Sequence, residues 1–381
     1  MARRIYLDYC ATTPVDPLVR AAMLPALREK FGNPSSLHWA GQEARGSLEV
    51  ARQHVANALG ARPEEVYFTS GATEADNLAL CGVMRRCPPE RSHLVTSAVE
   101  HHAILHTARA LQDEGYAVSY VPVDGKGRVD PDDVRRAIRA ETGLISIMLV
   151  NNEVGTIEPV REIGMAARER GVLMHTDAVQ GLSYVDTDVG DLCVDMLSLS
   201  GHKMYAPKGI GALYVRQGVI LSPTLHGGPQ ERGLRAGTEN VPGIVGLGVA
   251  VELAVRRRAE ERDRLRRLRQ ALVDGLMELN LDVIVNGDPV HCVAHVVSMS
   301  FRGAEAEAVL FRLHNRGFAV SMGSACTAQS IEPSHVLAAM GLPSEYLRGT
   351  IRVSMGVPTT EEEVMAFLEA LPEAVRAARG I

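Results

Sequence analysis

An α/β fold, with a mainly parallel sheet covered on both faces, is predicted by the order of patterns along this 381-residue chain. Three observations carry it. Short apolar runs alternate with helical periodicity from about residue 65 to 215, as a sheet buried on two faces requires. Several runs end in clusters of small and polar residues. After one long helical stretch the pattern changes to a second, smaller set of strands and helices.

In order, residues 66–69 read as a strand and 74–86 as a helix. Residues 93–99 form a strand and 102–114 a helix; 118–123 and 144–150 are strands around a helix that starts near Asp130. Residues 161–170 are helical, 172–175 a strand, and 197–199 and 211–215 complete the series. The long helix is predicted over 249–279, followed by strands at 283–285, 295–301 and 351–354 and helices at 304–315 and 361–378. Thr360 with Glu363 makes a capping box for the last of these. The division expected is a large domain, 15–255, and a small domain made of 1–14 and 256–381.

Composition narrows the class. Apolar residues make up 46% and charged residues 23%, a globular balance, and the net charge of −6 argues against a nucleic-acid binder. The arginine-rich stretch 256–269 is interleaved with Glu260, Glu261 and Asp263 and reads as a solvated helix face. The six cysteines are scattered without a Cys-x-x-Cys pair. No zinc site or disulfide framework is expected, nor any metal, and a reducing cytoplasm fits. No signal peptide and no membrane span is read.

Lys203 closes the segment from Val194 through Ser200-Gly201-His202. A lysine at the mouth of an apolar strand either reaches back to solvent or engages a partner, and an imine with an aldehyde cofactor is one such partner. Ser70-Gly71-Ala72-Thr73-Glu74 follows a strand and opens a helix. It is either a phosphate cradle or an ordinary turn with Thr73 as N-cap. Asp177, in His175-Thr176-Asp177-Ala178-Val179-Gln180, is either a structural cap or the partner of a protonated ring nitrogen. Asn151-Asn152-Glu153 serves turn chemistry or aims an amide into a cleft. His101, in Glu100-His101-His102, is structural or stacks on a planar cofactor. The stretch from His226 to Thr238 is a surface loop or an anion-contacting one. Cys326, among Gly323, Ser324 and Ala325, is a buried spectator or a reactive thiol.

Taken together with Leu7-Asp8 and Ala11-Thr12-Thr13-Pro14, these motifs resemble the cysteine desulfurases of the iron–sulfur cluster assembly type, in order from about Tyr6 to Glu363. The resemblance implies a fold-type-I pyridoxal 5'-phosphate enzyme with a seven-stranded large-domain sheet, working as a homodimer. L-cysteine would become L-alanine, leaving a persulfide on Cys326 for a sulfur-acceptor protein. It implies that Lys203 carries the coenzyme and that Asp177 faces its ring nitrogen. Gln180 meets the phenolic oxygen and His101 stacks on the ring. Gly71, Ala72, Thr73, Ser200 and His202 hold the phosphate, with Thr238 reaching it from the other subunit. Asn152 and Arg352 hold the substrate carboxylate. A selenocysteine lyase or another class-V aminotransferase-like enzyme would use Lys203 without needing Cys326. A non-catalytic member of the fold would bind no cofactor. Cys10 stands where relatives more often carry a small polar residue and reads as a buried thiol. The chain stops at Ile381, whereas some relatives have a longer tail that docks a scaffold protein, so that interface is not carried over.

Overall fold

The computed structural model describes residues 4–323 and 333–380. The strands are β1 (Ile5–Tyr6), β2 (Val66–Thr69), β3 (His93–Ser97), β4 (Ala117–Val121), β5 (Thr142–Ser146), β6 (Leu173–Asp177), β7 (Met196–Ser200), β8 (Gly211–Val215), β9 (Val283–Asn286), β10 (Val296–Phe301), β11 (Phe318–Ala319) and β12 (Thr350–Ser354). The helices are α1 (Pro17–Arg28), α2 (Trp39–Leu59), α3 (Ala72–Met84), α4 (His102–Asp113), α5 (Pro131–Ala137), α6 (Val160–Glu169), α7 (Val241–Glu278), α8 (Ala306–Asn315), α9 (His335–Ala339), α10 (Ser344–Leu347) and α11 (Glu361–Ala378).

Among the described residues the large sheet has seven strands in the order β2-β8-β7-β6-β5-β3-β4. β8 runs antiparallel to both neighbours and the other pairings are parallel. The alternation of side chains explains the two covering layers. Leu94, Leu144, Met196 and Leu213 pack with Leu78 of α3 and Ile104 of α4. Their neighbours Val95, Ile145, Leu197 and Tyr214 pack on the opposite face with Leu48 and Val55 of α2, Ile163 of α6 and Leu247 of α7. Since β2, β3, β6 and β7 all run the same way, their carboxyl ends share one edge, where open α/β sheets place ligands.

The long helix begins eight residues before the expected start at 249, at Val241, where the Asn240 side chain accepts from Gly243 N. Its first half joins the large core through Leu247 and Val251. Its second half joins another core through Leu265, Leu272 and Leu276. That second core also holds Val297, Phe301 and Val353 of the antiparallel sheet β12-β10-β9, with Phe367 and Leu371 of α11. The Thr360–Glu363 capping box is present. The strand expected over 144–150 is paired only as Thr142–Ser146, although Ile147 and Leu149 still donate to the carbonyls of His175 and Asp177. Among the described residues no helix is long and apolar enough to cross a membrane.

Candidate active site

A cavity of about 470 Å³ opens at the shared carboxyl edge of the large sheet. Its wall includes Gly71, Ala72, Thr73, His101, Asn152, Asp177, Gln180, Ser200, His202, Lys203 and Arg352. The structure therefore gathers these residues from five strand ends and from β12 of the other sheet. Among the described residues, one expected there is not in that wall. Thr238 is exposed, on the loop after the turn at 230–233. Cys326 lies outside the described residues.

Lys203 sits on the single helical turn that follows β7. Its Nζ donates to the carbonyl oxygens of Cys10 and, at 2.9 Å, of Ala11. The segment before α1 clamps this turn. Thr13 donates through both N and Oγ1 to the His202 carbonyl, each at 3.0 Å, and Tyr205 N donates to Thr13 Oγ1. The lysine thus directs its ammonium onto a nearby backbone loop at the cavity wall.

Asp177 ends β6 with its carboxylate buried, and Oδ1 accepts from Val179 N at 2.9 Å. Burial pushes its carboxyl up to about 6, against the downward pull of that N–H and of Lys203. Gln180 donates to the Cys10 carbonyl at 3.1 Å. His101 caps α4, its Nδ1 accepting from Ala103 N at 3.1 Å. A backbone N–H can only donate, so Nδ1 is the acceptor and the ring proton belongs on Nε2. Burial, then Lys203 and the nearby histidines, lower His101 to about 4, so the imidazole is neutral. Burial, then Lys203 and Lys208, lower His202 to about 4, and its Nδ1 lies 3.2 Å from Thr12 Oγ1.

α3 starts at Ala72, with Gly71 at the cap position and no side chain capping the turn. This overturns the reading of Thr73 as N-cap: Thr73 lies inside the first turn. The uncapped amides favour an anion. Across the cavity, the reading of Asn151-Asn152 resolves into two roles. Asn151 does the turn chemistry, accepting from Glu153 N and Val154 N and donating to the Val99 carbonyl. Asn152 lines the cavity, and its carbonyl accepts from Arg352 Nη1 at 2.8 Å.

Cys10 is 2% exposed, as expected of a buried thiol, yet it also lines the cavity. Burial pushes that thiol up. Asp8, Asp76 and Glu100 were not singled out from the sequence as site residues. Asp8 pairs with Arg352 Nη2 at 3.0 Å. Asp76 is buried in the wall with no hydrogen-bond partner among the described residues on either carboxylate oxygen, although His175 Nε2 lies 3.7 Å from Oδ1. Glu100 lies fully buried behind His101 and accepts from Ser97 Oγ and Met148 N. Position on an apolar face would have been the only sequence signal for Asp76 and Glu100, and it does not separate a site carboxyl from a cap.

The donor set fits pyridoxal phosphate. An uncapped helix start with Ser200 and His202 suits a phosphate, a buried carboxylate suits a protonated ring nitrogen, and the Lys203 amine lines the same cavity. The chain either side of Cys326 adjoins the same region. Ser321 exchanges both backbone hydrogen bonds with Arg352, and Ser334 bonds Glu153, next to Asn152.

Known proteins resemble this chain over nearly its whole length. The aminotransferase class-V family matches residues 5–367. A cysteine desulfurase IscS of Methanosarcina thermophila is 48% identical, covering 100% of this chain and 94% of its own. A cysteine desulfurase IscS of Dictyoglomus turgidum is 46% identical, covering 100% and 97%. A solved NifS-like protein superposes with a TM-score of 0.93 at 39% identity, covering 98% of this chain and 100% of its own. A structure described as SspA in complex with cysteine reaches 0.81 at 39% identity, covering 92% and 98%. The chain belongs to the class-V aminotransferase family, among its pyridoxal phosphate-dependent cysteine desulfurases.

Proposed function

We propose that this enzyme converts L-cysteine to L-alanine and passes the sulfur to Cys326, for delivery to an acceptor protein in iron–sulfur cluster assembly or another thio-cofactor route. The observation that carries this reading is the convergence of Lys203, Asp177, His101, Gln180 and Arg352 on one cavity at the sheet's carboxyl edge.

Bound pyridoxal phosphate supplies a conjugated electron sink. Lys203 holds the coenzyme and then moves the substrate's α-proton. Asp177 keeps a negative charge against the ring nitrogen. The neutral imidazole of His101 offers Nε2–H on the cavity side while Nδ1 is anchored to Ala103 N. Gly71, Ala72 and Thr73 would present the first turn of α3 to the phosphate, and Ser200 and His202 would help to hold it. Arg352 and Asn152 take the substrate carboxylate, where a planar guanidinium gives two donors. The Cys326 thiolate forms an S–S bond to the substrate sulfur as the substrate's C–S bond breaks. The β-carbon gains a proton, and alanine leaves.

A homodimer belongs to the same reading. Thr238 is exposed and absent from its own chain's cavity, which supports a role at a partner's phosphate. The division into 15–255 and a unit of 1–14 with 256–381 is likewise proposed, with α7 as the connection. A reducing cytoplasm is supported by the five described cysteines, all of them unbridged.

The test uses two variants. Lys203→Ala should lose the coenzyme that borohydride otherwise fixes to the chain. Cys326→Ala should keep the coenzyme's absorbance and form no protein persulfide from L-cysteine, as read by mass spectrometry. Undiminished sulfide release by Cys326→Ala would remove Cys326 from the reaction.

A further inference from the structure

Arg352 is 2% exposed, and both of its terminal nitrogens already have protein partners. Nη1 donates to the Asn152 carbonyl at 2.8 Å and Nη2 to Asp8 Oδ1 at 3.0 Å, while the buried Nε has no partner among the described residues. Asp8 is fixed by the backbone. It bridges to Ser354, on the strand that carries Arg352, and Ser354 N donates to the Leu7 carbonyl. Its side chain is 18% exposed, so little water screens the pair. Any ligand carboxylate that reaches Arg352 must therefore share one guanidinium with a carboxylate already bound to it.

We propose that Asp8 is a specificity-determining residue of the carboxylate site: by sharing Arg352 with the substrate, it limits the site to one ligand carboxylate and disfavours a dianion. The inference rests on the reading of Arg352 as the carboxylate receptor. With Asp8 in place, Arg352 is neutralised before the ligand arrives. A monocarboxylate brings the Asp8–Arg352 cluster to one net negative charge. A second ligand carboxylate adds another charge to a cluster whose one guanidinium is already shared. At a few ångströms and partial burial, that repulsion is large enough to change affinity by about tenfold or more. Cysteine carries one carboxylate, so the device leaves it acceptable, and it also keeps the grip on a monocarboxylate product moderate. Burial pushes the Asp8 carboxyl up, while Arg352 and then Lys203 pull it down, so the charge sits among the groups it is proposed to regulate.

The experiment compares two ligands of nearly equal size, succinate and succinamate, on the coenzyme-loaded enzyme. Working at about pH 8 gives succinate two negative charges and succinamate one. Affinities come from the rise of melting temperature with ligand concentration, which does not depend on turnover. Wild type should bind succinamate about tenfold more tightly than succinate. Asp8→Asn, which keeps an oxygen for Nη2 and removes the charge, should narrow that gap to about twofold and tighten both. An unchanged gap in Asp8→Asn overturns the proposal. If that variant does not fold, equal affinity of the two ligands for wild type overturns it just as well, and a tenfold preference for succinamate supports it. Arg352→Lys separates the underlying reading: succinamate binding that survives it undiminished removes Arg352 as receptor, whatever Asp8 does.

Discussion

The Ser334 hydroxyl donates to Glu153 Oε2 at 2.5 Å, joining the chain just after the Cys326 segment to the residue beside Asn152. Gly323, just before that segment, lies against the same oxygen: a Cβ there would stand 3.1 Å from it. Glu153 is 1% exposed and is itself held by Asn151 Oδ1. One buried carboxylate is therefore the meeting point of both flanks.

Ser334→Ala removes the donor without adding bulk. Persulfide formation on Cys326 should fall roughly ten- to hundredfold, as expected when a reacting group is misplaced by about an ångström. The coenzyme's absorbance and affinity should not move. Mass spectrometry of Cys326 after a brief pulse of L-cysteine reads the effect. A normal rate would mean that Glu153 does no positioning.

Much of the fold was legible from the sequence because strand ends carry distinctive chemistry. Lys203, Asp177 and Thr73 each follow an apolar run, and the structure brings all three to one edge. Three features were not legible. α1 and α2 were missed because Leu18, Leu24, Leu27, Phe31 and Trp39 are exposed and blur any inside–outside pattern over that stretch. The start of α7 was missed because Pro242, Gly243, Gly246 and Gly248 resemble breakers. Gly248 is instead a packing position: a Cβ there would lie 2.7 Å from Ala51 Cα of α2. The Asp8–Arg352 pair was hidden for another reason, since its partners are 344 residues apart.

Arg52 and Glu231 form a buried pair, with both guanidinium terminal nitrogens 2.8 Å from the carboxylate. Glu231 also accepts from Phe68 N of β2, and it holds a positive φ of 44°. The pair ties the loop bearing Thr238 to the strand that leads into the phosphate turn. Glu231→Ala leaves the Arg52 charge buried and should cost about 3–5 kcal/mol in urea unfolding. A cost below 1 kcal/mol, the range of an exposed pair, would mean that water replaces the carboxylate.

Burial pushes the Glu100 carboxyl up to about 8, and that of Glu158 also to about 8. Unfolded, both titrate in the ordinary range near 4.5. Between these limits the folded protein keeps protons that the unfolded chain has lost. The stability from these groups is therefore full below about 4.5 and declines as pH rises toward 8. Each contributes up to about 1.4 kcal/mol per pH unit. Glu100→Gln keeps an acceptor for Ser97 and Met148 N but cannot ionise. It should flatten part of the decline, gaining stability at alkaline pH and little near pH 4.5. Parallel pH–stability curves for variant and wild type would show that Glu100 does not titrate in this window.

Gly211 opens β8, where the strand passes the phosphate turn. A Cβ at this position would lie 2.6 Å from the Leu199 carbonyl oxygen and 2.7 Å from Gly71 Cα. Both neighbours are backbone, so no rotamer change can relieve the contact. One side is β7, leading to Lys203; the other is the cap position of α3. Gly211→Ala must push one of them away, at about 1–3 kcal/mol for overpacking. If α3 yields, the first-turn amides leave the phosphate position and coenzyme affinity falls about tenfold or more. If β7 yields, Lys203 moves and the rate of borohydride fixation falls instead. Measuring coenzyme affinity and fixation rate on the same variant tells the two apart. Wild-type values for both, together with wild-type stability, would mean that the turn and strand can separate at no cost, which the backbone contacts at Gly211 do not allow.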